Sequence, residues 1–396
     1  MRSAKVSGVC KSTTSSTGIS SSSTARTKGL TAAFAVFGLF WGAWAACLPA
    51  IQRSTGASEA QLGLALLAVA LAALPALLAG GRLADVFGAR LVPIGLVTFG
   101  LAATLPALAG SVPVLAALLA LVGLTTGLLD VAINAEAARL EAAFRIRLMD
   151  GLHASFSVGV LVGGVGAGLL RKAGAHPSWI LAGVGVLIAL SATGNRGGER
   201  MRAQAQGRAR PGKALLVIGG VLALAFLVEN GLEAWSALFL ERTFQSSPAI
   251  SGLGPGLFAA AMAGGRIAAQ RVAPPSVAVR MAFAGISAAA GLAIAASART
   301  PAVALLSFVV AGAGLSLSAP TLFGAAGRIG GEAGRGAAVS TVAVLGYLGF
   351  VAGPPLIGAV AGAASLRGAF VFLAAVGLLV AASAPVLRGR EGESGP

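Results

Sequence analysis

The sequence predicts an all-α membrane protein with twelve transmembrane helices in two pseudo-symmetric six-helix bundles. Three observations lead there: a composition suited to lipid, a series of twelve apolar runs, and a repeat between the two halves of the chain. Of 396 residues, 56% are apolar and 11% charged, with mean hydropathy +0.87; a soluble domain carries about 25% charged residues. Lipid is therefore the main solvent of this chain.

Residues 1–28 are rich in Ser and Thr and carry Arg2, Lys5, Lys11, Arg26 and Lys28 with no acid, which reads as a disordered cytoplasmic tail. The apolar run at 30–50 is longer than a signal-peptide core and more runs follow it, so it is expected to be a retained first helix, although the small residues Ala43 to Ala46 mimic a cleavage site. Further runs lie at 61–80, 91–110, 114–135, 152–170, 178–194, 214–237, 250–270, 276–297, 302–324, 337–360 and 368–387. Each approaches the roughly 20 residues that a bilayer crossing requires.

Charge sets the orientation. With the N-terminus inside, Arg53, Arg171, Lys172, Arg242, Arg299 and Arg367 fall outside and the other cations among the 29 Lys and Arg fall inside, as cytoplasmic loops demand. The same rule accounts for the net charge of +16. The cations are dispersed between apolar runs rather than clustered on one surface, so nucleic acid is not an expected partner.

The longest connection, 195–213, carries Arg196, Arg200, Arg202, Arg208, Arg210 and Lys213 against the single acid Glu199, and it divides the chain six spans from six. Gly81-Arg82 after the second span matches Gly265-Arg266 after the eighth. Gly159, Gly163 and Gly168 in the fifth match Gly349, Gly353 and Gly358 in the eleventh. Parallel six-helix halves related by an axis along the membrane normal are an architecture of secondary transporters, which hold solute near the midplane between halves. The expected organisation is a tail at 1–28, an N-terminal bundle at 29–194, a cytoplasmic linker at 195–213, a C-terminal bundle at 214–388 and a second cytoplasmic tail at 389–396.

Covalent chemistry has little to stand on. Cys10 and Cys47 form no plausible disulfide, and with His153 and His176 they lack metal-ligand spacing. No nucleophile and base pair and no cofactor fingerprint stand out, so neither enzymatic activity nor a cofactor or metal is expected.

The connection after the second span reads Gly81-Arg82-Leu83-Ala84-Asp85-Val86-Phe87-Gly88-Ala89-Arg90. Here the chain resembles the major facilitator superfamily, whose signature is G-x-x-x-D-(R/K)-x-G-(R/K)-(R/K). Gly81, Asp85, Gly88 and Arg90 match, while Val86 and Ala89 replace two cations. The resemblance implies a gating role: Asp85 would cap the start of span eleven near Gly336, where unpaired N–H groups and the positive dipole end attract a carboxylate. In the second half Ala269 stands where the aspartate is expected, so the latch would be one-sided. The plainer alternative is a tight turn with ordinary positive-inside charge.

Between spans four and five, Leu129-Asp130-Val131-Ala132-Ile133-Asn134-Ala135, followed by Glu136, Glu141, Arg145, Met149, His153, Ser157 and Gly159, resembles a bacterial branch of the superfamily related to proton-coupled fucose permeases. The resemblance places Asp130 and Asn134 on positions implicated in proton coupling. Independently, a carboxylate this far into a span costs about 2.5–3.5 kcal/mol on insertion scales, so it faces a cavity, pairs, or takes up a proton. Asn134 lies one turn on, on the same face. Pairing of Asp130 with Arg139 or Arg145 is the structural alternative. His153 is a candidate for a relay with Asp130, or a hydrogen-bonded helix-end residue.

Span seven carries Glu229-Asn230-Gly231-Leu232-Glu233-Ala234-Trp235. Lys213 and Arg242 bracket it, so Glu229 lies near the bilayer centre, and Glu233 shares its face. Two acids on one stripe are costly unless they line water or share a proton. Gly231 would let the backbone bend beside them, which makes Glu229, Asn230, Glu233 and Trp235 the preferred solute-facing segment; a buried structural pair is the alternative. Trp41 and Trp44, three apart on span one, would stack on a flat solute or face lipid. In span eleven, Gly346-Tyr347-Leu348-Gly349 and Gly353-Pro354-Pro355 combine close approach with a break in the hydrogen-bond ladder. Tyr347 would reach a solute or pack against span five.

The resemblance implies a monomeric, multi-pass transporter of the inner membrane with both termini in the cytoplasm, moving a small solute by alternating access with proton coupling. Its partners would be solute, protons and lipid. The sugar-permease kinship suggests a sugar-like or other small polar solute. Apolar walls with Glu229 and Glu233 also suit proton-driven efflux of hydrophobic cations, and a sensor or scaffold on a retired transporter fold is the third possibility.

Overall fold

The computed structural model describes residues 16–144, 148–195, 212–271 and 276–391, and within them the side chains of 16–23, 80, 81, 84, 85, 332, 333 and 389–391 are not described. The helices are α1 (Ser16–Thr55), α2 (Glu59–Phe87), α3 (Leu91–Ala103), α4 (Val112–Phe144), α5 (Met149–Lys172), α6 (Pro177–Ser191), α7 (Lys213–Phe244), α8 (Leu253–Ala269), α9 (Val277–Ser297), α10 (Pro301–Gly331), α11 (Gly334–Ala363), α12 (Leu366–Ala382) and a short α13 (Ala384–Glu391). Counted with the helical turns that adjoin them, eleven of the first twelve are long and apolar enough to cross a bilayer, α3 as Gly88–Leu108, α6 as Pro177–Asn195 and α12 as Leu366–Arg388. The twelfth, α8, has 17 residues and is preceded by the helical turn Pro248–Ser251.

Local chemistry fixes the helix starts. Before α2, Ser58 Oγ accepts from the Gln61 N–H while Gln61 Oε1 accepts from the Ser58 N–H, a reciprocal box that satisfies two orphan donors. Ser276, Thr300 and Ser365 cap α9, α10 and α12. Pro177 and Pro301 occupy the first position of α6 and α10, where a missing N–H costs nothing.

Packing repeats with a shift of six helices. The pairs α1/α5, α2/α4 and α3/α6 recur as α7/α11, α8/α10 and α9/α12. The halves then meet along α2/α11 and α5/α8, two contacts that exchange under the same shift. Small residues make the pairs close: a Cβ on Gly159 of α5 would strike the Ala35 carbonyl oxygen of α1, and one on Gly349 of α11 would strike that of Ala223 in α7. Large apolar side chains on the outer faces, such as Leu78, Leu101, Leu306 and Trp179, are exposed, as lipid-facing positions are in a membrane protein.

Several expectations are corrected. Residues 16–28, read as part of a disordered tail, extend α1, because a helix nucleated by the apolar run propagates cheaply into a neighbouring polar segment. Residues 389–391 likewise belong to α13. Residues 1–15, the linker stretch 196–211 and the end of the chain after 391 lie outside the described residues. Gly231 is no hinge: α7 runs through it, and a Cβ there would meet Leu373 and Ile357, so it is a packing glycine. Pro354 and Pro355 sit inside α11 without ending it. The non-helical residue is Gly331, with φ 60, between α10 and α11, a backbone region that glycine tolerates.

Candidate functional site

Four residues of separation bring Glu229 and Glu233 onto one face of α7, with Asn230 beside them. That face, with α1, α2, α5 and α11, encloses a cavity of about 310 Å³. Both halves contribute: Trp41, Trp44, Val69 and Phe156 from the first, and Glu229, Asn230, Glu233, Tyr347 and Phe350 from the second. Among the described residues neither glutamate has an ion-pair or hydrogen-bond partner, and Asn230 Oδ1 is buried without one. The Tyr347 hydroxyl donates to the Ala70 carbonyl oxygen at 3.1 Å, tying α11 to α2. Trp41 and Trp44 stand in a ring network, with Phe40 stacked on Trp44 at 6.4 Å and edge-on to Trp41 at 5.2 Å.

A second cavity of about 250 Å³ lies toward the end of the bundle where α5 starts and α8 finishes, lined by Asp150, His153, Ser157, Arg266, Gln270 and Phe323 among others. Gln270 Nε2 donates to Asp150 Oδ2 at 3.1 Å across it. The Gly265-Arg266 pair, read from sequence as a connection, is in fact inside α8. The Arg266 guanidinium acts electrostatically on His153 and on both Glu229 and Glu233, and its Nε is buried without a hydrogen-bond partner. Arg266 thus sits electrostatically between the two cavities.

At the opposite end the halves are sealed. Glu241 of α7 accepts from Arg171 of α5 at 3.0 and 3.1 Å, from Arg53 of α1 at 2.6 Å and from Ser251 at 3.2 Å. Arg242 donates to Gln52 at 3.1 Å beside this cluster. Below the ions, a Cβ on Gly168 would meet the Pro248 carbonyl, and one on Gly358 would meet Glu59 and Gly63. No side chain fits in either seam.

Other predicted residues are placed elsewhere. Asp130 and Asn134 line neither of the two cavities; Asn134 Nδ2 donates to Asp130 Oδ1 at 3.0 Å and to its carbonyl oxygen at 2.9 Å. Arg139 pairs instead with Glu136, and Arg145 lies outside the described residues. Among the described residues no hydrogen bond joins His153 to Asp130; its ring lies edge-on to Phe34 at 5.3 Å, and its charged neighbours are Arg266 and Asp150. Trp235 points away from the cavity into the core of the second half, fully buried with Nε1 unpartnered. The reason is angular, since it lies about 160° around α7 from Glu233. Gly88 opens a 3-10 turn with φ 54, and Arg90 ends that turn, exposed. Gly81 to Phe87, read from sequence as a connection, belong to α2; the side chain of Asp85 is not described, so the latch to Gly336 has no described contact.

A family profile described as the Major Facilitator Superfamily matches residues 30–334. The chain belongs to the Major Facilitator Superfamily. Among superfamily relatives, an uncharacterized MFS-type transporter of Yersinia pestis is 33% identical over 302 residues, 74% of this chain and 78% of the relative. Membrane protein MosC of Rhizobium meliloti is 30% identical over 303 residues, 74% and 73% of the two chains. Two solved structures share the fold. A D-xylose-proton symporter superposes with a TM-score of 0.75 at 15% identity, covering 92% of this chain and 97% of its own. The nucleoside transporter NupG gives 0.72 at 13% identity, covering 91% and 98%.

Sequence reasoning missed three parts of this superfamily member, two at the cavities and one at the sealed end. Phe156 and Phe350 were hidden among other apolar residues of their helices. Arg266 was visible as a cation near an apolar run, but its depth was not. Glu241 joins Arg171 and Arg53 from 70 and 188 residues away, and no spacing rule links such positions.

Proposed function

We propose that this protein is a secondary transporter that binds a small solute in the central cavity and carries it across the inner membrane by rocking the two halves. The observation that carries the proposal is a cavity lined by both halves, with Glu229 and Glu233 in its wall. Acids placed in an apolar membrane interior are costly unless they have work to do there. Proton uptake and release at this pair would couple solute movement to a proton gradient.

The seal at Glu241, Arg171 and Arg53 on one side, and the cavity at Asp150 and Arg266 on the other, support an inward-facing arrangement. In this reading the linker 195–213 and both termini are cytoplasmic, the Arg171 end is external, and one chain suffices. Asp85 would latch the opposite side when it closes, with Gly81, Gly88 and Arg90 shaping the turn. Asp130 and Asn134, joined by a hydrogen bond on α4, would tune the protonation cycle from outside the cavity. A sugar-like solute stacked on Trp41 and Trp44 and an amphipathic cation held by the glutamates are the two solute classes this cavity suggests.

The test is uptake into proteoliposomes with and without an imposed pH gradient. The expected result is gradient-stimulated flux that Glu229→Gln or Glu233→Gln reduces to the rate seen without a gradient. Flux indifferent to the gradient in wild-type protein would overturn proton coupling while leaving carriage intact.

A further inference from the structure

We infer that the central cavity binds a monovalent organic cation bearing a flat apolar group, an inference that rests on the transporter reading and names its solute class. The wall of the cavity sets two carboxyl groups and one amide among ring faces and aliphatic side chains. Trp41, Trp44, Phe156, Tyr347 and Phe350 supply the rings, and the negative face of such rings attracts a cation. Among the described residues, Glu229 and Glu233 supply carboxyl groups with no hydrogen-bond or ion-pair partner, and Asn230 supplies an amide. The Tyr347 hydroxyl donates its hydrogen bond to the Ala70 carbonyl oxygen, so its own oxygen offers lone pairs. The indole N–H groups of Trp41 and Trp44 and the amide N–H groups of Asn230 are side-chain donors among the lining residues.

Charge points the same way. No Lys, Arg or His lines the cavity among the described residues. Arg266 is the cation that acts on both glutamates. One positive charge facing two carboxylates leaves one negative charge in excess when both are ionised. A cationic head between Glu229 and Glu233 would be drawn by their charge, while its apolar body lay against the rings. A neutral sugar gains nothing from the charge of the two carboxylates, and any hydroxyl that stays unpaired among the apolar side chains weakens binding. An anion would face the excess negative charge directly. The volume of about 310 Å³ lies at the small end of ligand pockets, which favours a one-ring cation over a larger dye.

The test is equilibrium binding to the purified full chain, read by quenching of tryptophan fluorescence, with three probes: benzyltrimethylammonium, phenylmethanesulfonate and D-xylose. The first two share a ring and differ in the sign of charge. Saturable binding of benzyltrimethylammonium is expected, with no saturable binding of the other two. Glu233→Gln is expected to weaken it about tenfold, whereas Glu233→Asp, which keeps the charge, retains most of the affinity. If the glutamine variant fails to fold, the comparison of the three probes on wild-type protein still decides. Saturable binding of D-xylose or the sulfonate in preference to the cation, or absence of cation binding up to its solubility limit, overturns the inference. Counterflow of radiolabelled solute in proteoliposomes separates the two levels. Counterflow of xylose without cation binding would sink the cation site and leave the transporter standing. Cation binding without counterflow would do the reverse.

Discussion

Arg171 at the end of α5 and Glu241 at the end of α7 form a two-pronged ion pair, at 3.0 and 3.1 Å, that joins the two halves of the protein. Arg171 is the better buried partner, at 4% side-chain exposure against 10% for Glu241, and it also donates to the Ala46 carbonyl oxygen. Arg53 reaches the same carboxylate from a half-exposed position, where solvent screens its share. The pair is thus a clasp between rigid bodies at the end where the backbones already touch.

Removing the carboxylate leaves Arg171 buried without its counter-charge, and such losses cost about 3–5 kcal/mol for a fully buried pair, less here because Arg53 and solvent are near. Glu241→Gln is expected to lower the melting temperature and to raise thiol labelling of Ala249→Cys, a position on the turn packed against Gly168. An Arg171→Met, Glu241→Leu double variant, which removes both charges, is expected to recover much of the stability while keeping the raised labelling. Unchanged labelling in both variants would show that the clasp does not hold the seam closed.

The two kinds of glycine contact separate folding from gating. Gly159→Ala pushes a methyl into the Ala35 backbone inside one half, whereas Gly358→Val pushes apart α11 and α2 from different halves. Overpacking of this sort costs about 1–3 kcal/mol. Gly159→Ala is expected to lower the melting temperature with little change in labelling at Ala249→Cys. Gly358→Val is expected to raise that labelling, because rigid halves can separate where a half cannot swell.

The helices were legible because each apolar run approached bilayer length, and the repeat was legible because close helix approach constrains residue type: the glycines of α5 and α11 occupy matching contacts. Glu229, Asn230 and Glu233 were legible as acids and an amide where lipid tolerates none. Trp235 was misassigned by adjacency in sequence, although the helical period that joined the glutamates already turned it to the other side. His153 was assigned to Asp130 from nearness along the chain, whereas tertiary packing gave it Arg266 from α8. Charges on different helices meet by packing alone, which is why Glu241 and Arg171 left no pattern to read.

The two tryptophan environments make opposite demands. Trp235 fills a closed core and its Nε1 bonds to nothing, so Trp235→Phe removes volume without stranding a partner. A stability loss of about 1–3 kcal/mol with unchanged solute affinity is expected. Trp44→Ala enlarges the cavity and deletes a ring face, so it is expected to weaken benzyltrimethylammonium binding more than it lowers the melting temperature. The two measurements on both variants form a crossed comparison, and equal effects on affinity would remove Trp44 from the solute wall.

Asp130 poses the sharpest question about coupling, because it lines neither cavity and is hydrogen-bonded to Asn134 at 3.0 Å. An asparagine at this position can still accept that hydrogen bond through its own Oδ1, so Asp130→Asn is expected to fold and to bind solute normally. It cannot take up or release a proton. If Asp130 belongs to the coupling pathway, solute accumulation driven by a pH gradient falls to the gradient-free level while counterflow, which needs only the rocking motion, persists. If Asp130 only steadies α4, both fluxes stay at wild-type rates. A loss of counterflow together with accumulation would place the residue in the conformational change itself, through Tyr347 and its tie to Ala70, and Tyr347→Phe would then reproduce the defect.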